Sequence, residues 1–225
     1  ASVAQVYMHE PLRSIIAATL VLFEGTPKEE RPMPPAADLP IILFEQQRDL
    51  EEWLDERHAD SPGVWLRIAK KGAGLRSVSY DEAVELALCF GWIDGQTKSY
   101  DDQSWLQRFT PRRPQSIWSK INRDKAEALI AAGRMRPAGL AAVERAKANG
   151  RWDAAYDGAS RAAVPDDFQA ALDGNQKAKA FFETLTGSNR YALLFRIQTA
   201  NKPETRARRI EQFIRMLENG ETIYP

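Results

Sequence analysis

Residues 89–123 read CFGWIDGQTKSYDDQSWLQRFTPRRPQSIWSKINR. Trp92, Trp105 and Trp118 alternate here with Lys98, Arg108, Arg112, Arg113, Lys120 and Arg123. Guanidinium groups beside indole rings suit an anionic or planar ligand, through paired hydrogen bonds and stacking. Ser116 and Ser119 fall where a helix is predicted to begin, and the free N–H groups of a first turn favour an anion. Arg112 and Arg113 sit just ahead of that turn. The candidate ligand site is therefore Trp92, Asp94, Arg112, Arg113, Ser116, Trp118 and Ser119. The same residues also have a plainer reading. Tryptophans at strand and helix spacing fill cores, arginines pair with acids such as Asp101 and Asp102, and Ser116 is a helix cap.

Asp94, in Trp92-Ile93-Asp94-Gly95, is the one candidate catalytic group. A carboxylate between apolar and aromatic neighbours can serve as an acid or base, although Asp before Gly also makes turns. Cys89 lies among Leu86, Leu88 and Phe90 and reads as a buried structural thiol. The loop Lys70 to Gly74 is basic and carries two glycines, which favours a turn over a phosphate cradle.

Composition narrows the chemistry. Two histidines and one cysteine leave no His-based metal site, no Ser-His-Asp triad and no intramolecular disulfide to expect. Phosphate-loop, dinucleotide-fold and zinc-protease signatures are absent. No metal or other cofactor is expected. Lys plus Arg and Asp plus Glu balance at 31 each, so no global field recruits nucleic acid. The last helix does carry Arg206, Arg208, Arg209 and Arg215 opposite an apolar stripe. Glu204, Glu211 and Glu218 are interleaved with them and favour a solvated face over a phosphate-binding one.

The elements that must position these residues follow from pattern. Residues 12–23 are apolar but shorter than the roughly twenty needed to span a bilayer. They are expected to form a docking helix rather than an export signal. Residues 26–40 are rich in proline and charge and read as a linker, with Met33 a candidate translation start. Residues 41–44 and 64–69 read as strands, and 45–58 as an amphipathic helix. Ser79 and Glu82 form a capping box that opens a helix ending at Gly91. Residues 92–100 and 104–110 read as a hairpin, with Trp105, Gln107 and Phe109 on one face. Ser116 is expected to cap a helix ending at Gly133, and Pro137 to start another ending near Gly150. Residues 151–165 read as a loop. Helices follow at about 166–173, 175–186 and 188–200, and a last one runs from Pro203 to Gly220.

The expected fold class is α+β: a small antiparallel or mixed sheet of about four strands with packing helices, then a helical C-terminal half. The expected divisions are an extension at 1–38, an α+β core at 39–150 and a helical region at 151–225.

Several unusual runs occur in order: Ala87-Leu88-Cys89-Phe90-Gly91-Trp92-Ile93-Asp94-Gly95, then Arg108-Phe109-Thr110-Pro111-Arg112-Arg113-Pro114, and Ser116-Ile117-Trp118-Ser119 with Asn122. Ala132-Gly133-Arg134-Met135 and Pro137-Ala138-Gly139 come next, followed by the tail Lys202-Pro203-Glu204-Thr205-Arg206-Ala207-Arg208-Arg209-Ile210. Over about residues 39–220 the chain resembles the YdeI/OmpD-associated, bacteriocin-protection family. One departure is Phe195-Arg196-Ile197, where the family often has a tryptophan. The resemblance implies a bacterial stress- or envelope-linked protein and carries over no catalytic residues.

The expected function is a non-catalytic binding protein that holds an anionic small molecule, a peptide or an envelope protein partner in the aromatic and basic cleft. The alternatives are a hydrolase or transferase using Asp94 with Arg112 or Ser119, and nucleic-acid binding through the last helix, which the neutral net charge disfavours. No membrane span, a cytoplasmic location with room for envelope association, and a homo-oligomer complete the expectations.

Overall fold

In the computed structural model, residues 39–200 and 202–225 are described. The apolar run at 12–23 and most of the proline-rich segment lie outside them. Four strands, β1 (Ile41–Ile42), β2 (Val64–Ala69), β3 (Trp92–Ser99) and β4 (Ser104–Pro111), form one sheet in the order β1-β2-β4-β3. β1 runs parallel to β2, and the other two pairings are antiparallel. The sheet is mixed and all its strands lie in the N-terminal half, so the fold is α+β. β1 is shorter than the apolar run 41–44 suggests, and Ile41 is exposed because it lies on the sheet's edge.

Helices α1 (Gln47–Arg57), α2 (Tyr80–Cys89), α3 (Lys120–Ala131) and α4 (Pro137–Ala148) join the sheet around one core. Val64, Leu66 and Ile68 of β2 stand opposite Phe109, Gln107 and Trp105 of β4, as period-2 alternation requires. The apolar members of this row belong to that core or pack against it. Ser79 accepts from the Glu82 N–H while the Glu82 carboxylate accepts from the Ser79 N–H, so both orphan donors at the start of α2 are satisfied. Gly91, at φ 72°, ends the helix with a backbone turn that a side chain resists.

α4 begins hard against the end of α2. A Cβ on Gly139 would lie 2.2 Å from the Cys89 carbonyl oxygen and 2.7 Å from that of Leu88. Only glycine allows the two backbones to come this close. The Arg136 N–H donates to the Cys89 carbonyl in the same contact.

The second core belongs to α5 (Asp166–Asp173), α6 (Gln176–Thr184), α7 (Gly187–Gln198) and α8 (Pro203–Glu218). At 8 residues α5 is too short to persist alone. Phe168 and Leu172 hold it by full burial, each contributing on the order of 2 kcal/mol. The Phe168 ring meets Phe182 of α6 edge-on at 5.5 Å.

Segment 149–165 joins the two cores. The Tyr156 N–H donates to the Trp118 carbonyl and the Lys120 N–H donates to the Tyr156 carbonyl, a short parallel bridge just ahead of α3. Lys120 pairs with Asp157 at 2.8 Å. The Asp157 N–H donates to the Gln198 side chain of α7, and the Tyr191 hydroxyl donates to the Asp157 carbonyl. The part of the chain richest in tryptophan and arginine thus lies where the two cores are tied together.

Candidate functional site

Arg112 follows β4 directly, and its N–H donates to the Gly91 carbonyl, extending the pairing by one step. The side chain is 6% exposed. Its guanidinium carbon lies 3.8 Å from the centre of the Trp118 ring, and Nη1 donates to the Ile117 carbonyl at 2.9 Å. Nε and Nη2 are buried with no hydrogen-bond partner. No carboxylate among the described residues forms an ion pair with it. Burial therefore pulls the guanidinium well below the ordinary arginine range, to about 10, opposed by the nearby charge of Asp94.

The unpartnered edge has a definite shape. Nε and Nη2 form the edge with which arginine grips a carboxylate or phosphate through two parallel bonds. Arg206 shows that grip in this same molecule, its Nε at 2.6 Å and Nη2 at 2.8 Å from the two oxygens of Asp167. The equivalent edge of Arg112 is buried and has no hydrogen-bond partner among the described residues.

Asp94 sits at a β-bulge in β3, where the register with β4 shifts between Asp94 and Thr97. The buried Gln107 amide donates to the Gly95 carbonyl at 2.9 Å and pins the bulge. One Asp94 oxygen accepts from the Tyr80 hydroxyl at 2.8 Å. Tyr80 opens α2, and its phenol is raised well above the ordinary range, by burial first and then by the charge of Asp94 and the bond to it. Tyr156 is raised as well, by burial and then Asp94, against the opposing pull of Arg112 and a hydrogen bond with Ser119. Tyr80, Asp94, Arg112 and Tyr156 therefore share one electrostatic neighbourhood, with Ser119 at its margin. Its parts can bind an anion through Arg112, and Asp94 stands beside it as a carboxylate already bonded to the Tyr80 hydroxyl.

The residues singled out from the sequence take different places. Arg112 and Trp118 stack on each other. Ser119 is the cap of α3, accepting from the Asn122 N–H at 3.1 Å. Ser116, expected to be that cap, instead closes a turn back to Arg113. The Arg113 N–H donates to the Ser116 hydroxyl and the Ser116 N–H to the Arg113 carbonyl, so the helix starts after Ser119. The Arg113 side chain is exposed. Trp92 is 1% exposed and turned into the core, its indole N–H donating to the His58 carbonyl and its ring edge-on to Trp53. Cys89 is buried and its thiol raised, chiefly by desolvation, which keeps it protonated and unreactive.

Tyr80 and Tyr156 were not among the expected residues. Among the described residues no group of three or more His, Cys, Asp and Glu side chains could hold a metal, and no helix is long and apolar enough to cross a membrane. The arginines of α8 are partly engaged: Arg206 grips Asp167, Arg215 lies 3.6 Å from Glu211, and Arg209 donates to the Arg196 carbonyl.

Residues 161–220 match the family described as "Bacteriocin-protection, YdeI or OmpD-Associated", and the Lys202 to Ile210 run lies within that match. Residues 42–142 match a domain of unknown function (DUF8412), which contains the stretch from Cys89 to Asn122. No curated protein and no solved structure matches the chain.

Proposed function

Taking as premise that residues 161–220 form a domain of the bacteriocin-protection, YdeI or OmpD-associated family, we propose that the protein is a non-catalytic binding protein of bacterial envelope protection, whose ligand is a small carboxylate or phosphate held by Arg112. One observation carries the reading: the two-donor edge of a buried arginine that has no partner. A buried unpaired charge is costly, and structures normally satisfy it with an acid. An incoming anion would supply the missing charge and both missing acceptors at once. Trp118 fixes the plane of the guanidinium, so little order remains to be created on binding.

The unpaired nitrogens are shielded from solvent, so the ligand enters as its covering side chains move aside. Binding should therefore be slower than diffusion and should raise the melting temperature by mass action. Calorimetric titration of the full chain with inorganic phosphate and with acetate tests the reading. Arg112→Lys keeps the charge but loses the fork, and is expected to weaken binding more than tenfold. Equal affinity in that variant would exclude Arg112 as the anchor.

A second reading is supported by the Tyr80 hydroxyl on Asp94. A carboxylate bonded to a phenol beside a bound anion can move protons to or from it, which suits a hydrolase or transferase. It requires a turnover that Asp94→Asn abolishes in a folded protein. A natural protein with no turnover on hydrolase and transferase substrates would leave only the binding reading, and a turnover retained by Asp94→Asn would remove Asp94 from the chemistry.

A further inference from the structure

Away from Arg112, Ser188, Tyr191, Ala192, Phe195 and Arg196 fall on one stripe of α7, at spacings of three and four residues. With Tyr224 from the C-terminal tail they line a surface groove of about 400 Å³. Its walls are held in place. The Tyr224 N–H donates to the Asn189 side-chain oxygen at 2.9 Å, and the Asn189 amide donates to the Tyr224 carbonyl at 3.1 Å. The Thr222 hydroxyl donates to the same carbonyl. These bonds fasten the tail against α7 and stand the Tyr224 ring beside the groove.

Of the other lining residues, Tyr191 donates its hydroxyl to the Asp157 carbonyl, and Phe195 packs edge-on against Tyr156 at 4.9 Å. Ala192, a small residue between two aromatic ones, leaves the space open. Arg196 is anchored by Nη1, which donates to the Ala192 carbonyl at 3.0 Å, and among the described residues no carboxylate pairs with it. It is the one charged residue of the six that line the groove.

We propose that this groove is a second binding site, specific for a small planar aromatic carboxylate. Three aromatic side chains line the groove and can pack against a flat apolar group. Arg196 supplies the charge that selects an anion and a planar donor set that suits a carboxylate. The volume lies near the small end of the usual range for ligand pockets, which sets the ligand at one or two fused rings. None of the six residues that line the groove is among those that hold the Arg112 guanidinium.

The test is a nuclear magnetic resonance titration of the full chain with indole-3-acetate, using neutral indole-3-acetamide as the control. Saturable shifts are expected at residues 188–196 and 222–225, with the acetamide about tenfold weaker for want of the charge. Ser188 is an exposed helix position, so Ser188→Trp fills the groove without removing a core contact, and it should abolish the shifts. Tyr224→Ala removes one wall from an exposed tail and should weaken binding about fivefold. The proposal is overturned by an absence of saturable shifts, by equal affinity for the acetamide, or by undiminished binding in Ser188→Trp.

Discussion

The guanidinium carbon of Arg112 rests 3.8 Å from the centre of the Trp118 ring, sealed from solvent and bonded through only one of its nitrogens. Among the described residues no carboxylate forms an ion pair with this charge, and Asp94 acts on it without touching it. Replacing that charge with an apolar chain of similar length removes a desolvation penalty together with one hydrogen bond and one stacking contact. These effects oppose each other at similar size. Arg112→Met is therefore expected to change stability by less than about 1.5 kcal/mol, measured by urea unfolding. Trp118→Ala, which empties a core position, should cost about 3–5 kcal/mol.

The junction of α2 and α4 makes a stability prediction unconnected with any ligand. In Gly139→Ala the new methyl group would meet two backbone carbonyls, neither of which can swing aside. The expected cost is about 3 kcal/mol, at the upper end for overpacking. Gly133, at φ 68° with nothing within 4 Å, provides the contrast. Gly133→Ala bears only the left-handed backbone penalty of about 1 kcal/mol. Thermal melts of the two variants compare them directly.

Helix α3 should register its cap at Ser119 and not at Ser116. Ser119→Ala is expected to cost about 1 kcal/mol, the usual loss for an N-cap hydroxyl. Ser116→Ala opens only a half-exposed turn and should change urea midpoints little. The reverse ranking would place the helix start at Ser116.

Alkaline pH separates the tyrosines from Arg112. Tyr80, Tyr156 and Tyr191 are all held above the ordinary tyrosine value, mainly by burial. A phenol that keeps its proton longer in the folded chain contributes stability that is lost as pH rises past the ordinary value near 10. Arg112 acts with the opposite sign. Its proton is held less tightly in the fold, so its cost is full below about 10 and is relieved as pH climbs from there toward the ordinary arginine range. Tyr80→Phe should therefore flatten the alkaline loss of stability, and Arg112→Met should steepen it. Urea midpoints taken on either side of pH 10 check both slopes.

Much of this architecture can be read along the chain because its determinants are local. The Ser79–Glu82 box, the Pro137 and Pro203 starts and the Gly91 and Gly220 stops each act within one helical turn, and the observed helices begin and end beside them. The Tyr100–Gln103 turn sets the hairpin of β3 and β4 in the same way. Arg112 and Trp118 stand six residues apart and could be paired by eye. Tyr80 and Tyr156 could not. Tyr80 looks like any first residue of a helix until the bulge in β3 turns Asp94 toward it. Tyr156 lies in a stretch that reads as plain loop, and main-chain bonds to Trp118 and Lys120, distant in sequence, bring it to the site. Ser116 misleads for a related reason: a serine ahead of a helix can cap it or close the turn before it, and the bond to Arg113 decides.

The central claim is that the open edge of Arg112 holds an anion, and native mass spectrometry of the full chain purified gently from a bacterial host tests it most directly. The account predicts a reproducible added mass of small-molecule size on the natural protein, absent from a folded Arg112→Met variant. A bare chain in both proteins, or the same added mass on both, would contradict it.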